Sequence, residues 1–215
     1  MGKMTQARGK PMEMAMVMEV QATVMKARIT RRGALGRIGA AGLVPLLGGC
    51  VTGGAEALTM PRDPAATAMP DLVDLARFDP RLRFDIRYAT PANFMGRVLY
   101  PQAKAVAQRP VAEALSRVQT RAEAAGYGLL IFDAYRPWRI TRDMWEATPP
   151  EQREFVANPR VGSRHNRGCS IDLSLHRNGI EVVMPSAYDD FTPAAYRSNT
   201  HAPAEALAAS RMLEA

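Results

Sequence analysis

With 215 residues, 47% of them hydrophobic and 23% charged, the chain has ordinary globular composition and room for one packed domain behind an export leader. Its net charge of +7 would suit nucleic acid or a membrane surface. However, residues 1–50 hold eight Lys/Arg against only Glu13 and Glu19, which leaves 20 basic and 19 acidic residues in 51–215. A near-neutral body gives no support to a nucleic-acid footprint.

Seven of the thirteen methionines precede residue 50. The run "MEMAMVMEVQATVMKARIT" has neither turn chemistry nor an amphipathic period, so residues 1–24 read as a start-site extension and Met25 as the working start. From there "MKARITRRGALGRIGAAGLVPLLGGC" has the layout of an export signal: a basic start, an apolar stretch and a small-residue end. Arg37 leaves too short an uncharged run before Cys50 to cross a bilayer, which takes about 20 residues. The Arg31-Arg32 pair is similar to a twin-arginine signal, and Leu47-Gly48-Gly49-Cys50 is similar to a bacterial lipobox. Residues 1–49 are therefore expected to be a leader, with Cys50 the lipidated first residue of the exported form. Its lipid would be the only membrane attachment. Cys169 is then left without a partner for an intramolecular disulfide. The Gly-, Ala-, Thr- and Pro-rich stretch to residue 70 reads as a flexible tether, and 71–215 as the domain.

Within the domain, "LRFDIRYAT" (82–90) alternates around Phe84, Ile86 and Tyr88 and predicts a strand. "RPVAEALSRVQTRAEAAGYG" predicts a helix with Pro110 near its start, Gly126 just past its end, and an apolar stripe of Val111, Ala114, Leu115, Val118, Ala122 and Ala125. "YGLLIFDAYRP" follows as a buried strand ending in a loop at Asp133. Thr148-Pro149-Pro150-Glu151 matches a capping box that opens a short helix through Val156. "CSIDLSLHRNGIEVVM" predicts a strand, a turn at Asn178-Gly179 and a returning strand, and a helix closes the chain. This mixture, without regular alternation of strand and helix, predicts an α+β fold with a mainly antiparallel sheet flanked by helices.

Two segments carry chemistry. In "SRHNRGCSIDLSL", Ile171, Leu173 and Leu175 share one strand face and Ser170, Asp172 and Ser174 the other. Asp172 then projects away from the core with His165 just before the strand, and Gly168 permits a tight turn between them. Imidazole and carboxylate both suit zinc, although a catalytic zinc takes three protein ligands and a water. In "DAYRP" (133–137), Arg136 at a strand end offers a fork of donors to a carboxylate or oxyanion, or else pairs with Asp133 on the surface.

Taken in order, "DIRYAT" with "NF-x-G", "GYGLLIFDAYRP", "SRHNRGCSIDLSL" and "MPSAYDDF" (184–191) resemble the D-alanyl-D-alanine dipeptidase family of zinc peptidases, from about Val73 to the end of the chain. The last motif is similar to the family's Met-x-x-x-Phe-Asp-x-Phe stretch after the hairpin. The resemblance implies His165 and Asp172 as two zinc ligands, Arg136 as the transition-state stabiliser, and Asp133, Ser163 and Asp189 lining the substrate site. Arg164 and Cys169 replace small residues of the family; the Cys169 thiol fits a tight space beside Gly168 better than it fits a ligand's place. The family's Glu-Trp-Trp-His segment supplies a general-base glutamate and a third zinc histidine. No such segment follows "NTHAPAEALAASRMLEA", and neither His176, His201, Glu205 nor Glu214 stands in a matching context. The domain is thus expected to be C-terminally incomplete.

The resemblance implies zinc-dependent hydrolysis of D-alanyl-D-alanine or related wall peptides in the periplasm. Zinc and the glutamate would activate a water for attack on the peptide carbonyl. The alternatives are a zinc carboxypeptidase trimming wall peptides, or a catalytically dead wall-associated lipoprotein.

Overall fold

The computed structural model describes residues 57–62 and 69–214. The leader, its twin arginines and Cys50 lie outside the described residues, as does most of the tether. In chain order the elements are β1 (Leu72–Asp74), α1 (Leu75–Phe78), β2 (Arg83–Phe84), β3 (Val106–Gln108), α2 (Arg109–Ala124), β4 (Gly128–Asp133), α3 (Trp138–Ala147), β5 (Asp172–Arg177), β6 (Ile180–Glu181) and α4 (Ala204–Glu214). Short 3-10 turns at Arg87–Ala89, Pro150–Phe155, His165–Arg167 and Pro193–Ala195 punctuate them. The central sheet has the order β2-β4-β5-β6, parallel only between β2 and β4, and β1 pairs with β3 in a separate antiparallel ribbon. This is the expected α+β architecture.

Helix α2 forms where its apolar spacing places it. Val111, Ala114, Leu115 and Ala122 are buried on the core face, whereas Ala125 is the exposed C-cap and does not extend the stripe. The helix ends because Gly126 adopts φ +80°. Gly126 N donates to Glu123 O at 2.9 Å and Tyr127 N to Ala122 O at 2.9 Å, the paired bonds of a Schellman cap. Buried Gln119 then joins helix to sheet, its side-chain oxygen accepting from Leu129 N at 2.9 Å. Leu129 and Ile131 on β4 and Leu175 on β5 are fully enclosed.

Three expectations are corrected. The strand predicted over 82–90 is only Arg83–Phe84; the chain then tightens into the 3-10 turn at Arg87–Ala89, while Ile86 and Tyr88 remain buried. The alternation therefore reported burial rather than conformation. Thr148 does not cap the following turn. Its hydroxyl donates to Met144 O at 2.7 Å, closing α3, a helix the sequence reading did not foresee. The segment after it is a 3-10 turn without a side-chain cap. Finally, β5 begins at Asp172 and the return strand is two residues long, although Asn178 (φ 54°) and Gly179 (φ 83°) make the predicted tight turn.

Candidate metal and substrate site

The site grows from a fault in the sheet. Strands β4 and β5 run in register from Gly128↔His176 to Ile131↔Leu173, and the next pair is Asp133↔Asp172. The extra residue, Phe132, makes a β-bulge, which re-aims side chains at the end of a ladder. Two carboxylates thus face one another across the sheet end, and both are buried. Uncompensated, such a pair is strongly unfavourable. Arg136 sits between them: its Nε and Nη2 both reach Asp133 Oδ2 at 2.8 Å, and Nη2 reaches Asp172 Oδ2 at 3.2 Å. The guanidinium lies 4.9 Å from the centre of the Tyr88 ring, and Nη1 meets Met144 Sδ, a weak acceptor, at 3.5 Å. The salt bridge read as a surface alternative therefore exists between Asp133 and Arg136, but it is buried.

His165 enters from the 3-10 turn after Ser163. Ser163 shapes that turn: its hydroxyl accepts from His165 N at 3.2 Å and its own N–H donates to Asn166 Oδ1 at 2.8 Å. Asn166 in turn donates to Arg136 O at 2.9 Å and to Thr141 Oγ1 at 2.8 Å. Arg136 N donates to His165 O at 3.1 Å, so the two loops are stitched together. The turn ends at Gly168 (φ 66°), where a Cβ would stand 2.6 Å from Leu72 Cδ2. Glycine is required there for conformation and for space.

The imidazole is oriented by its backbone bond. His165 Nδ1 lies 2.7 Å from Ala134 O; a carbonyl only accepts, so Nδ1 carries the proton and Nε2 presents its lone pair. Nε2 stands 3.2 Å from Asp172 Oδ1. Adjacent ligands of a tetrahedral zinc, with bonds of about 2.0–2.1 Å, are separated by about 3.3 Å. The pair therefore fits one ion, and the Nδ1–carbonyl bond is the usual support for a metal-ligating histidine.

Asp133, His165 and Asp172 together are close enough to share an ion. Asp133 is nevertheless committed elsewhere. Its Oδ1 accepts from Tyr100 OH at 2.8 Å, its Oδ2 is held by Arg136, and it faces the Nδ1 edge of His165 at 3.6 Å. It is 1% exposed. The structure thus gives Asp133 a grip on Arg136 rather than a place lining an open substrate site. His176, His201 and Cys169 do not belong to this group among the described residues. The His176 ring packs over Gly128, His201 is exposed, and the Cys169 thiol turns to Arg167 O at 3.5 Å.

Electrostatics follow the burial. Burial works to raise the Asp172 pKa, but His165 and Arg136 together hold it below the usual carboxylate range. Burial likewise works to lower His165, and the Asp172 carboxylate outweighs it and holds the imidazole above its ordinary value. Asp189 goes the other way: burial pushes its carboxyl up to about 6, against the bond from Tyr88. Its Oδ1 accepts from Tyr88 OH at 3.0 Å, and its backbone takes the left-handed φ of 57°. A cavity of about 150 Å³, walled by Phe132, Leu173, Met184 and Phe191, opens on both Asp172 and Asp189.

The structure therefore brings His165, Asp172, Arg136, Asp133 and Ser163 into one buried constellation, with Asp189 joined to it through Tyr88. Sequence reasoning missed Tyr88, Tyr100, Asn166 and Tyr188 as parts of this network. Tyrosines on an apolar pattern look like core, and the carboxylates that their hydroxyls reach (Asp189, Asp133 and Asp172) lie 101, 33 and 16 residues away in sequence.

A buried histidine–carboxylate pair under an arginine, beside a cavity, could hold a metal ion. A family model described as D-ala-D-ala dipeptidase, of the M15 peptidases, matches residues 68–215, and the chain belongs to that family. It is similar to a D-alanyl-D-alanine dipeptidase of Escherichia coli (strain K12), 34% identical over 142 residues covering 66% of this chain and 71% of the relative. One from Streptomyces coelicolor is 31% identical over 150 residues, covering 60% and 74%. One from Enterococcus faecium is 34% identical over 128 residues, covering 50% and 63%. The class of reaction is dipeptide hydrolysis by a metallo-dipeptidase.

Proposed function

We propose that this protein hydrolyses D-alanyl-D-alanine or a closely related wall dipeptide, with His165 and Asp172 as two of the three protein ligands that a catalytic zinc takes. The observation that carries the reading is the 3.2 Å approach of His165 Nε2 to Asp172 Oδ1, with Nδ1 fixed on Ala134 O and Arg136 on the far oxygen of Asp172. Bound there, zinc supplies a Lewis acid that polarises the scissile carbonyl. Arg136 holds the oxyanion as it develops, using guanidinium donors beyond those that grip Asp133. Asp133 and Tyr100 set the plane of that guanidinium. Asp189, beside the same cavity, meets the substrate's ammonium group with its carboxylate.

Export behind the twin arginines and a lipid on Cys50 would place the enzyme in the periplasm, where wall peptides are released. That placement favours peptide turnover as the role. The test of the enzymatic reading is D-Ala-D-Ala hydrolysis, followed as free D-alanine with and without added zinc. Zinc-dependent release that His165→Ala abolishes supports it. Binding of D-Ala-D-Ala without any turnover would favour the catalytically dead lipoprotein instead.

A further inference from the structure

The side chain of Tyr188 is directed at the site. Its hydroxyl lies 3.4 Å from Asp172 Oδ2, a long hydrogen bond. The ring is fixed by packing against Phe132, with centroids 4.9 Å apart, and against Tyr88 at 5.8 Å. The two oxygens of Asp172 are thereby sorted. Oδ1 faces His165 Nε2, while Oδ2 receives Arg136 Nη2 and Tyr188 OH.

Resting on the zinc reading above, we infer that Tyr188 is a positioning residue that, with Arg136, occupies Oδ2 of Asp172 and so makes this carboxylate a one-oxygen zinc ligand through Oδ1. A carboxylate can bind an ion through one oxygen or two, and the second mode would need Oδ2 to leave its donors. Arg136 supplies one donor but is shared with Asp133. Among the described residues, Tyr188 is held by aromatic packing and directs its hydroxyl at Asp172. Its hydroxyl acts on the ligand's orientation and the ion's affinity, while its ring also lines the cavity.

The experiment compares the full chain with Tyr188→Phe, which keeps the ring and removes only the hydroxyl. Zinc affinity is read by competition with a chromophoric chelator, the coordination geometry by the visible spectrum of the cobalt(II)-loaded protein, and folding by thermal unfolding of the metal-free protein. Loss of an outer-shell partner of a metal ligand typically costs about 10–100-fold in affinity. The expected result is a zinc affinity at least about tenfold weaker, an altered cobalt spectrum, and unchanged cooperative unfolding. A Tyr188→Phe protein with affinity within twofold of the parent and a superimposable cobalt spectrum overturns the inference alone. A parent chain that takes up neither zinc nor cobalt overturns it together with the zinc reading.

Discussion

Arg136 satisfies two buried carboxylates at once, and that double duty separates the consequences of its substitutions. Arg136→Ala leaves Asp133 and Asp172 facing one another without compensation, and breaking a buried pair of this kind costs about 3–5 kcal/mol. Arg136→Lys keeps a charge there but loses the fork. We therefore expect Arg136→Lys to fold and retain zinc while turnover falls by about a hundredfold or more, the scale of a lost oxyanion donor. Steady-state kinetics beside zinc titration checks this, and activity within a few-fold of the parent would remove the role proposed for Arg136. Asp189 offers a prediction in pH. Its folded pKa of about 6 is raised above the ordinary 3.8, so the folded protein holds this proton more firmly than the unfolded chain. Ionising it therefore costs stability as pH rises from about 4 to about 6. Asp189→Asn should gain stability relative to the parent across that window and hold the gain above it. Urea unfolding of the metal-free proteins at pH 4.5 and 7 tests the sign; a relative loss with rising pH would contradict it.

At the level of elements, the turn that delivers His165 depends on Gly168. A residue with a Cβ pays about 1–2 kcal/mol for left-handed backbone, and here the Cβ would also strike Leu72 Cδ2 at 2.6 Å. Gly168→Ala should lose about 2 kcal/mol or more in chemical denaturation and weaken zinc binding, because β1 and the His165 turn cannot both keep their places. An Ala variant as stable as the parent would show that the turn can relax. The same elements show what a sequence reader can and cannot see. Helix α2 was legible because its apolar spacing and Gly126 agree, and the β5–β6 hairpin because Asn178-Gly179 dictates its turn. The 82–90 strand failed because Ile86 and Tyr88 are buried on a 3-10 turn, which sequence alternation cannot distinguish from a strand. Helix α3 escaped notice because "RITRDMWEA" buries little beyond Ile140, Thr141 and Met144. His165, Asp172 and Arg136 were legible as a constellation by resemblance alone. The commitment of Asp133 to Arg136 and Tyr100 was not, since it depends on one unpaired residue in the sheet.

Across the whole molecule, the proposed function joins a leader to a hydrolytic domain. In cells, Cys50→Ser should release the protein from the membrane fraction, and Arg31→Lys with Arg32→Lys should hold it in the cytoplasm. Fractionation with immunodetection reads both, and an unchanged membrane fraction for Cys50→Ser would contradict lipidation there. The account's centre, however, is the metal pair. The most direct measurement is zinc bound per chain at equilibrium with buffered micromolar zinc, for the parent, His165→Ala and Asp172→Ala, with unfolding curves to show that each is folded. The account predicts one zinc on the parent and a loss of that zinc in both variants. Folded variants that bind zinc as well as the parent would show that the ion, and the chemistry built on it here, resides elsewhere.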